Sequence, residues 1–369
     1  MTAISSAGVT RAAAREAGVP RVTVGTAWPA GWGDCAAAAE SRSLFLGPTW
    51  FELYTRYFAD ASTRYLVSFD QAAAQPACVL PVTVRDGTAE AFTNYYASRY
   101  GPIGPADSDA TPRHVSALVA ALVESRPRLH GVRLQPILRD SDEYAALADA
   151  FSARGWVTEE FFCFGNWIHR TRGADFASYF ASLPGALRST ITRKRKKLLK
   201  RGATIDVYHA PADIERHFAA FEEVYRRSWK VREDRADFVR DLALAFGGEG
   251  CTRLGVVRLD DRVIASQFWI VRAGTASIYK LAYDEAFAEL SAGTVLSDAL
   301  FRHAIDEDRV ELIDYLTGDD GYKKDWMSER REFWGLYAHN PWHWRGALGA
   351  GRTLCKRVVR GRTAAAGTE

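Results

Sequence analysis

The sequence predicts an α/β fold built from two related domains in tandem, each a mixed central sheet flanked by helices. Three observations carry this. The chain has 369 residues, long for one hydrophobic core and comfortable for two. It is 47% apolar and 12% aromatic, a globular composition. And a succession of strands, then strand–helix–strand, occurs twice along it.

In the first passage, Arg64–Phe69 and Pro76–Val84 read as neighbouring strands, followed by the Phe92–Tyr96 stretch and a Gly/Pro-rich loop, Tyr100–Pro105. A helix is predicted from Pro112 to Glu124, with Thr111 as N-cap and Pro112 at its first position. Strand Val132–Leu138, helix Asp142–Ala153 and a strand near Trp156–Trp167 complete the passage. In the second, Ile214, Phe218, Phe221 and Tyr225 recur at helical spacing in a helix over Ala212–Lys230. Arg253–Leu259 and Val263–Arg272 form a hairpin across Asp260–Asp261, a turn-prone pair. A strand over Thr275–Ala282, a helix from Thr294, and strands Glu311–Leu316 and Glu332–Ala338 follow. The expected domains are 21–170 and 211–345. A loose extension (1–20) precedes them, a connecting segment (171–210) joins them, and a basic tail (346–369) follows.

The net charge of +3 is unevenly spread. Arg188–Arg201 holds eight basic residues and no acid; Pro341–Glu369 holds six and one, leaving the rest of the chain at −10. The basic segment could meet phosphates or serve as a solvated connector. The tail, with Trp342, Trp344, Leu348 and Leu354, reads as frayed, its glycines weakening an amphipathic helix that could touch anionic lipid.

Five scattered cysteines without CxxC spacing suggest neither a disulfide framework nor zinc, and no metal is implied. Apolar runs fall far short of the ~18 residues of a membrane span, and no signal-peptide core is present, so a cytoplasmic location is expected. No G-x-S-x-G elbow or GxxxxGK[ST] loop points to a serine hydrolase or a P-loop kinase.

The densest chemistry lies in Tyr279–Trp326. Ser291-Ala292-Gly293-Thr294 enters a helix after a strand. That arrangement can cradle phosphate on free N–H groups, or simply cap the helix. Lys280, in an apolar strand on one face with Ala276 and Ile278, is either a phosphate clamp or a structural ion pair with Asp284 or Asp314. Asp314, Gly318, Tyr322, Lys323 and Trp326 surround a Gly-rich loop at a strand end, where α/β ligand sites tend to sit, or form a Gly-rich turn with a helix cap and two packed aromatics. Asn94-Tyr95-Tyr96, with Arg99 and Tyr100 nearby, is either a carbohydrate-stacking groove or packed core.

The run R-x-x-I-x-R-K-x-K-K (Arg188–Lys197), YK-x-x-YD (Tyr279–Asp284), the Ser-x-Gly-Thr loop and D-x-x-x-G-x-x-x-YK-x-x-W (Asp314–Trp326) resemble the GNAT acyltransferase superfamily. More closely they resemble its CelD/BcsL-type acetyltransferase branch, which is similar to the Fem-type double-GNAT proteins. The loop is shorter than the Gly-rich pyrophosphate run of most GNATs. The resemblance implies an acyl-CoA co-substrate, acetyl-CoA first, held by Lys280, Ser291, Gly293 and Thr294. It implies Tyr322 as acid toward the leaving thiolate; Asp314 reads as the base and Lys323 as the cation beside a phosphate or developing charge. Tyr95, Tyr96, Arg99, Tyr283 and Trp326 would bind the acceptor, a hydroxyl or amine of a polysaccharide or envelope precursor. Two alternatives stay open: a Fem-like transferase using aminoacyl-tRNA, and a non-catalytic anion-binding module.

Overall fold

The computed structural model describes residues 19–71, 73–105 and 110–366. The expected N-terminal extension therefore lies almost wholly outside the described residues. The first half runs β1 (Arg21–Gly25), α1 (Trp32–Glu40), α2 (Pro48–Phe58), β2 (Thr63–Phe69), β3 (Cys78–Arg85) and β4 (Thr88–Ala91). It continues through α3 (Ala110–Val123), β5 (Gly131–Leu138), α4 (Asp142–Ser152) and β6 (Val157–Arg170). Helices α5 (Phe176–Ser182) and α6 (Gly185–Lys200) lead to the second half. There follow β7 (Thr204–Tyr208), α7 (Pro211–Arg226), α8 (Ala236–Gly248), β8 (Thr252–Leu259), β9 (Arg262–Arg272) and β10 (Thr275–Tyr283). Then come α9 (Ala292–Arg302), β11 (Leu312–Asp314), β12 (Glu329–His339) and a last helix, α10 (Trp344–Ala366).

The twelve strands of the described residues form one mixed sheet in the order β1-β2-β3-β4-β5-β12-β6-β11-β10-β9-β8-β7. Exchanging each strand with the one six places along reverses this order onto itself. The halves therefore repeat one topology, and their last strands are exchanged: β12 pairs antiparallel with β5, and β6 with β11. The central β6–β12 ladder ties the halves together. Each half has a single parallel pair, β4 with β5 and β10 with β11.

Local signals account for much of this. Ser141 caps α4 by accepting from the Tyr144 N–H, and Asp175 caps α5 through Ser178. Asp260 and Asp261 both take positive φ (51° and 59°), the two-residue hairpin turn that matches strand twist. Helix α3 already includes Thr111, so Thr111 is not the N-cap expected of it. Helices α1, α2 and α8 were not foreseen. Trp50 and Tyr54 of α2 share an apolar cluster with Phe218 of α7 and Phe238 and Phe246 of α8, joining the halves. Helix α9 packs with α5 and α6 in a second cluster, and α3 with α4 in a third.

The tail is helical where fraying was expected. Gly346 and Gly349 explain it: a Cβ on Gly346 would lie 2.1 Å from the Asn340 carbonyl oxygen, and one on Gly349 2.2 Å from His339 Nδ1. These glycines let α10 dock closely on the central strands β6 and β12. No helix among the described residues is long and apolar enough to cross a membrane.

Candidate active site

The site starts where two parallel strands part. β10 and β11 pair only over Thr275–Ser277 and Leu312–Asp314; β10 runs on while the chain after Asp314 turns away. Asp314 directs that turn. One carboxylate oxygen accepts from the Leu316 N–H and from Asn166 Nδ2, both at 2.7 Å, and the other meets Arg331 Nη2 at 2.6 Å. Leu316 is held at φ 55°, a left-handed conformation costly for a branched side chain. Its carbonyl is fixed by Asn166.

Two cavities open on either side of the gap. The larger, about 770 Å³, is walled by residues 93–98 and Gln135 of the first half and by Phe161–Phe164 of β6. Tyr225, Lys230, Tyr279, Lys280, Tyr315, Tyr322 and Lys323 close its other side. The smaller, about 520 Å³, lies at the start of α9 and is walled by Ser291, Gly293, Thr294, Ser297, Gln267, Tyr283, Trp229, Trp326 and Leu187 of α6. Leu281, Tyr315 and Tyr322 line both. The cavities thus meet at Tyr322, whose ring stands edge-on to Tyr315 at 5.8 Å.

The α9 cavity presents a helix start with donors to spare. Ser291 precedes the helix at φ 50° without capping it, and no acidic residue occupies the first turn. The first N–H groups of the helix have no partner inside it. The turn is pinned to β9: Gln267 Nε2 donates to the Gly293 carbonyl (3.0 Å) and to Ser297 Oγ (2.8 Å), and Trp269 Nε1 donates to Gln267 Oε1. A Cβ on Gly293 would touch Tyr283 at 3.6 Å, so anything larger narrows the cavity. These features suit a phosphate-bearing donor, but among the described residues no lysine or arginine lines this cavity.

Lys280 was expected here and lies elsewhere. A bulge at Tyr279 shifts the register, so Ile278 pairs opposite Trp269 while Lys280 pairs opposite Phe268. One extra residue moves a side chain to the other face. Lys280 therefore enters the larger cavity, where its ammonium meets Glu233 at 2.6 Å rather than Asp284 or Asp314. The rings of Tyr95, Tyr96, Tyr225 and Tyr279 surround it at 5.0 to 5.9 Å. Burial lowers its pKa against the opposing pull of Glu233. Burial alone would raise the Glu233 carboxyl, but Lys280 and the phenols of Tyr95 and Tyr96 outweigh it and hold Glu233 below its usual value. The carboxylate is therefore firmly charged, and the ammonium is the partner strained by burial.

Lys230 projects into the same cavity with no ion pair among the described residues. Burial, then repulsion from Lys280 and Lys323, brings its pKa down to about 8. Tyr322 is half exposed; burial and then the Asp320 carboxylate push its phenol up to about 12. Lys323 is buried and already occupied, donating to the Thr317 and Gly318 carbonyls and pairing with Asp320.

The sequence-predicted residues thus divide. Tyr95, Tyr96, Lys280, Tyr322 and Lys323 line the larger cavity; Ser291, Gly293, Thr294, Tyr283 and Trp326 line the α9 cavity. Tyr283 and Trp326 were expected with the acceptor and sit with the donor features instead. Arg99 and Asp314 line neither. Arg99 is buried against Glu143, and Asp314 is locked by Arg331 and Asn166. Sequence reasoning missed Lys230, Glu233, Gln267 and Tyr315. The first two sit in the segment between α7 and α8 that helical spacing had partly absorbed into α7. Trp229-Lys230-Val231-Arg232-Glu233, charges and an aromatic crowded before the next apolar stripe, was the available signal.

Residues 185–324 match the family described as Acetyltransferase (GNAT) domain. No curated protein matches the chain. The solved structure of FemX superposes with a TM-score of 0.60 at 10% identity, covering 86% of this chain and 96% of that one. A conserved protein of unknown function from Bacteroides thetaiotaomicron gives 0.54 at 14% identity, covering 87% and 100%. At such identities the likeness establishes a shared fold. The fold is α/β, and the match to the GNAT domain runs from α6 to the loop after β11.

Proposed function

We propose that this chain transfers an acyl group from acyl-CoA, acetyl-CoA first, to an amine or hydroxyl of a polysaccharide or envelope-precursor acceptor, as the CelD/BcsL-type resemblance implies. One observation carries the reading: two cavities of different character abut at Tyr322, in the gap between parallel β10 and β11. The α9 cavity would take the donor, with the N–H groups at Ala292–Thr294 and the hydroxyls of Ser291 and Thr294 toward phosphate. The larger cavity, ringed by Tyr95, Tyr96, Phe161, Phe162 and Tyr225, would take the acceptor, since sugar faces stack on aromatic rings.

The roles follow from charge and position. Lys230, with its pKa near 8, would accept the proton of the attacking amine or hydroxyl as the new bond to the carbonyl carbon forms. Tyr322 stays protonated at neutral pH and faces both cavities, so it would donate a hydrogen bond to the sulfur as the carbon–sulfur bond breaks. A free thiol titrates near ~8.5, so complete proton transfer from a phenol at about 12 is uphill; stabilising developing charge is the better-matched task. Asp314 would position Tyr315–Thr317 rather than act as base.

A second reading rests on α6. It borders the donor cavity through Leu187 and exposes Arg193, Lys196, Lys197 and Lys200, which would suit a polyanionic donor such as aminoacyl-tRNA. The test is thiol release from acetyl-CoA in the presence of amino- and hydroxyl-bearing oligosaccharides, with and without ribonuclease. Turnover that survives ribonuclease and falls in Tyr322→Phe supports acyl-CoA. Turnover seen only with charged tRNA, and lost to ribonuclease, replaces the donor. Cellular function that survives loss of Lys230 and Tyr322 together would leave a non-catalytic module.

A further inference from the structure

Helix α10 has two faces of opposite logic. Its inner face is made of small residues: Gly346, Gly349, Ala350 and Thr353 lie against β6, β12 and the turn at Asn340, the last two almost fully buried. Thr353 Oγ1 donates to Glu159, Lys356 Nζ pairs with Glu159 at 2.6 Å, and Arg357 donates to the Thr158 carbonyl. Close packing of these small residues holds the helix on β6 and β12.

Among the described residues, the large apolar side chains of this segment point the other way. Trp344 is 66% exposed, Leu348 60% and Leu354 48%, and Trp342 just before the helix is 64% exposed. Trp344 and Leu348 are one turn apart on one face, and exposed Cys355 returns to that face two turns later. Arg345 and Arg352 flank the stripe, and among the described residues neither pairs with a carboxylate; Arg345 lies over the Trp344 ring at 5.1 Å. Tryptophan and leucine on an outward face, flanked by unpaired arginines, match the depth profile of an anionic bilayer surface: rings and aliphatic carbons at the acyl boundary, guanidinium groups among phosphates.

We propose that α10 docks this chain on anionic lipid, lying in the plane of the membrane surface. Charge complementarity selects the occupant, because the stripe is bordered by cations in a segment carrying six basic residues and one acid. Docking also has a geometric consequence for the cleft. Glu159, which anchors α10, precedes Phe161 and Phe162 of the cavity wall on the same strand, about 7–10 Å along it. The cleft is thereby held beside the lipid surface.

The test uses the full chain with sucrose-loaded vesicles of phosphatidylcholine alone, or with about one quarter phosphatidylglycerol. Co-sedimentation and a blue shift of tryptophan emission with the mixed vesicles are expected. Trp344→Ser/Leu348→Ser, two exposed positions away from both cavities, should weaken binding at least about tenfold with the fold intact by circular dichroism. Arg345→Gln/Arg352→Gln should weaken it only for the anionic vesicles. Failure to bind the mixed vesicles, or equal binding by the Ser variant, overturns the proposal. So does self-association in sedimentation equilibrium that the Ser variant abolishes while vesicles leave the wild type unbound, which would assign the face to a second copy. None of these readouts depends on acyl transfer.

Discussion

Replacing Glu233 by glutamine tests how the larger cavity is held together. The Glu233–Lys280 pair spans 2.6 Å, with side chains only 8% and 11% exposed. At an effective dielectric of ~20 their attraction is about 6 kcal/mol, offset by the cost of removing both from water. Glutamine keeps an acceptor for the Tyr95 and Tyr96 hydroxyls and removes the charge, leaving Lys280 buried alone among four rings. Breaking one side of a buried pair costs about 3–5 kcal/mol. With a urea m-value of about 3 kcal/mol per M, the midpoint should fall by about 1–1.7 M. Lys280→Met in the same chain should recover most of the loss, since removing both charges is nearly neutral. The acid side gives an independent sign. The Glu233 pKa is depressed in the folded state, so the stability it contributes is present above the ordinary carboxyl range and lost as pH falls through the lowered folded value. Glu233→Gln should show less of that acid-side loss. A cost below about 1 kcal/mol, the size of an exposed pair, would refute the reasoning, as would a double variant no more stable than the single one.

The other expectations concern catalysis and docking. If Lys230 is the base, kcat/KM should rise with pH through about 8 as its ammonium deprotonates, and Lys230→Met should flatten that limb; an unchanged profile removes it from the mechanism. Tyr322→Phe should lower kcat by roughly 10²–10³-fold with little change in melting temperature, because the ring is half exposed; unchanged kcat would contradict its role. Asp314→Asn should cost about 3 kcal/mol by stranding Arg331, with most of the turnover of the folded fraction retained; a loss of kcat beyond ~10²-fold at unchanged stability would make Asp314 the base after all. Gly346→Ala forces a Cβ against backbone oxygens at 2.1 and 2.5 Å, so α10 should loosen at a cost of about 1–3 kcal/mol, read as new protease cleavage within it. Cleavage patterns identical to wild type would show that the close approach is not required.

Period and turn chemistry made much of the fold legible. The alternation of β8 to β10, the Asp260–Asp261 turn and the apolar faces of α4, α7 and α9 are local properties, and they are found close to where the sequence puts them. The exchange of β6 and β12 is not local. Each strand could satisfy its pattern beside either half, and only the assembled sheet decides. Lys280 shows the same limit at one residue: strict alternation assigns it to the α9 face, and a single bulge at Tyr279 reverses the assignment. Asp314 was singled out for its charge at a strand end, yet Arg331 and Asn166, its partners, come from strands brought together by that exchange. Lys230 and Glu233 escaped notice because nothing periodic marks a loop between helices. In α10 the glycines looked like weakness in a helix, because their purpose depends on backbone oxygens of Asn340 and His130.

The most direct test of the central claim, that the cavity at the start of α9 receives the donor, is a calorimetric titration of acetyl-CoA into the wild type and Gly293→Trp, with CoA and dephospho-CoA as controls. The account predicts saturable binding to the wild type and its loss in the tryptophan variant, with both proteins folded by circular dichroism. No binding of any of the three to folded wild type, or equal binding by the variant, would contradict it.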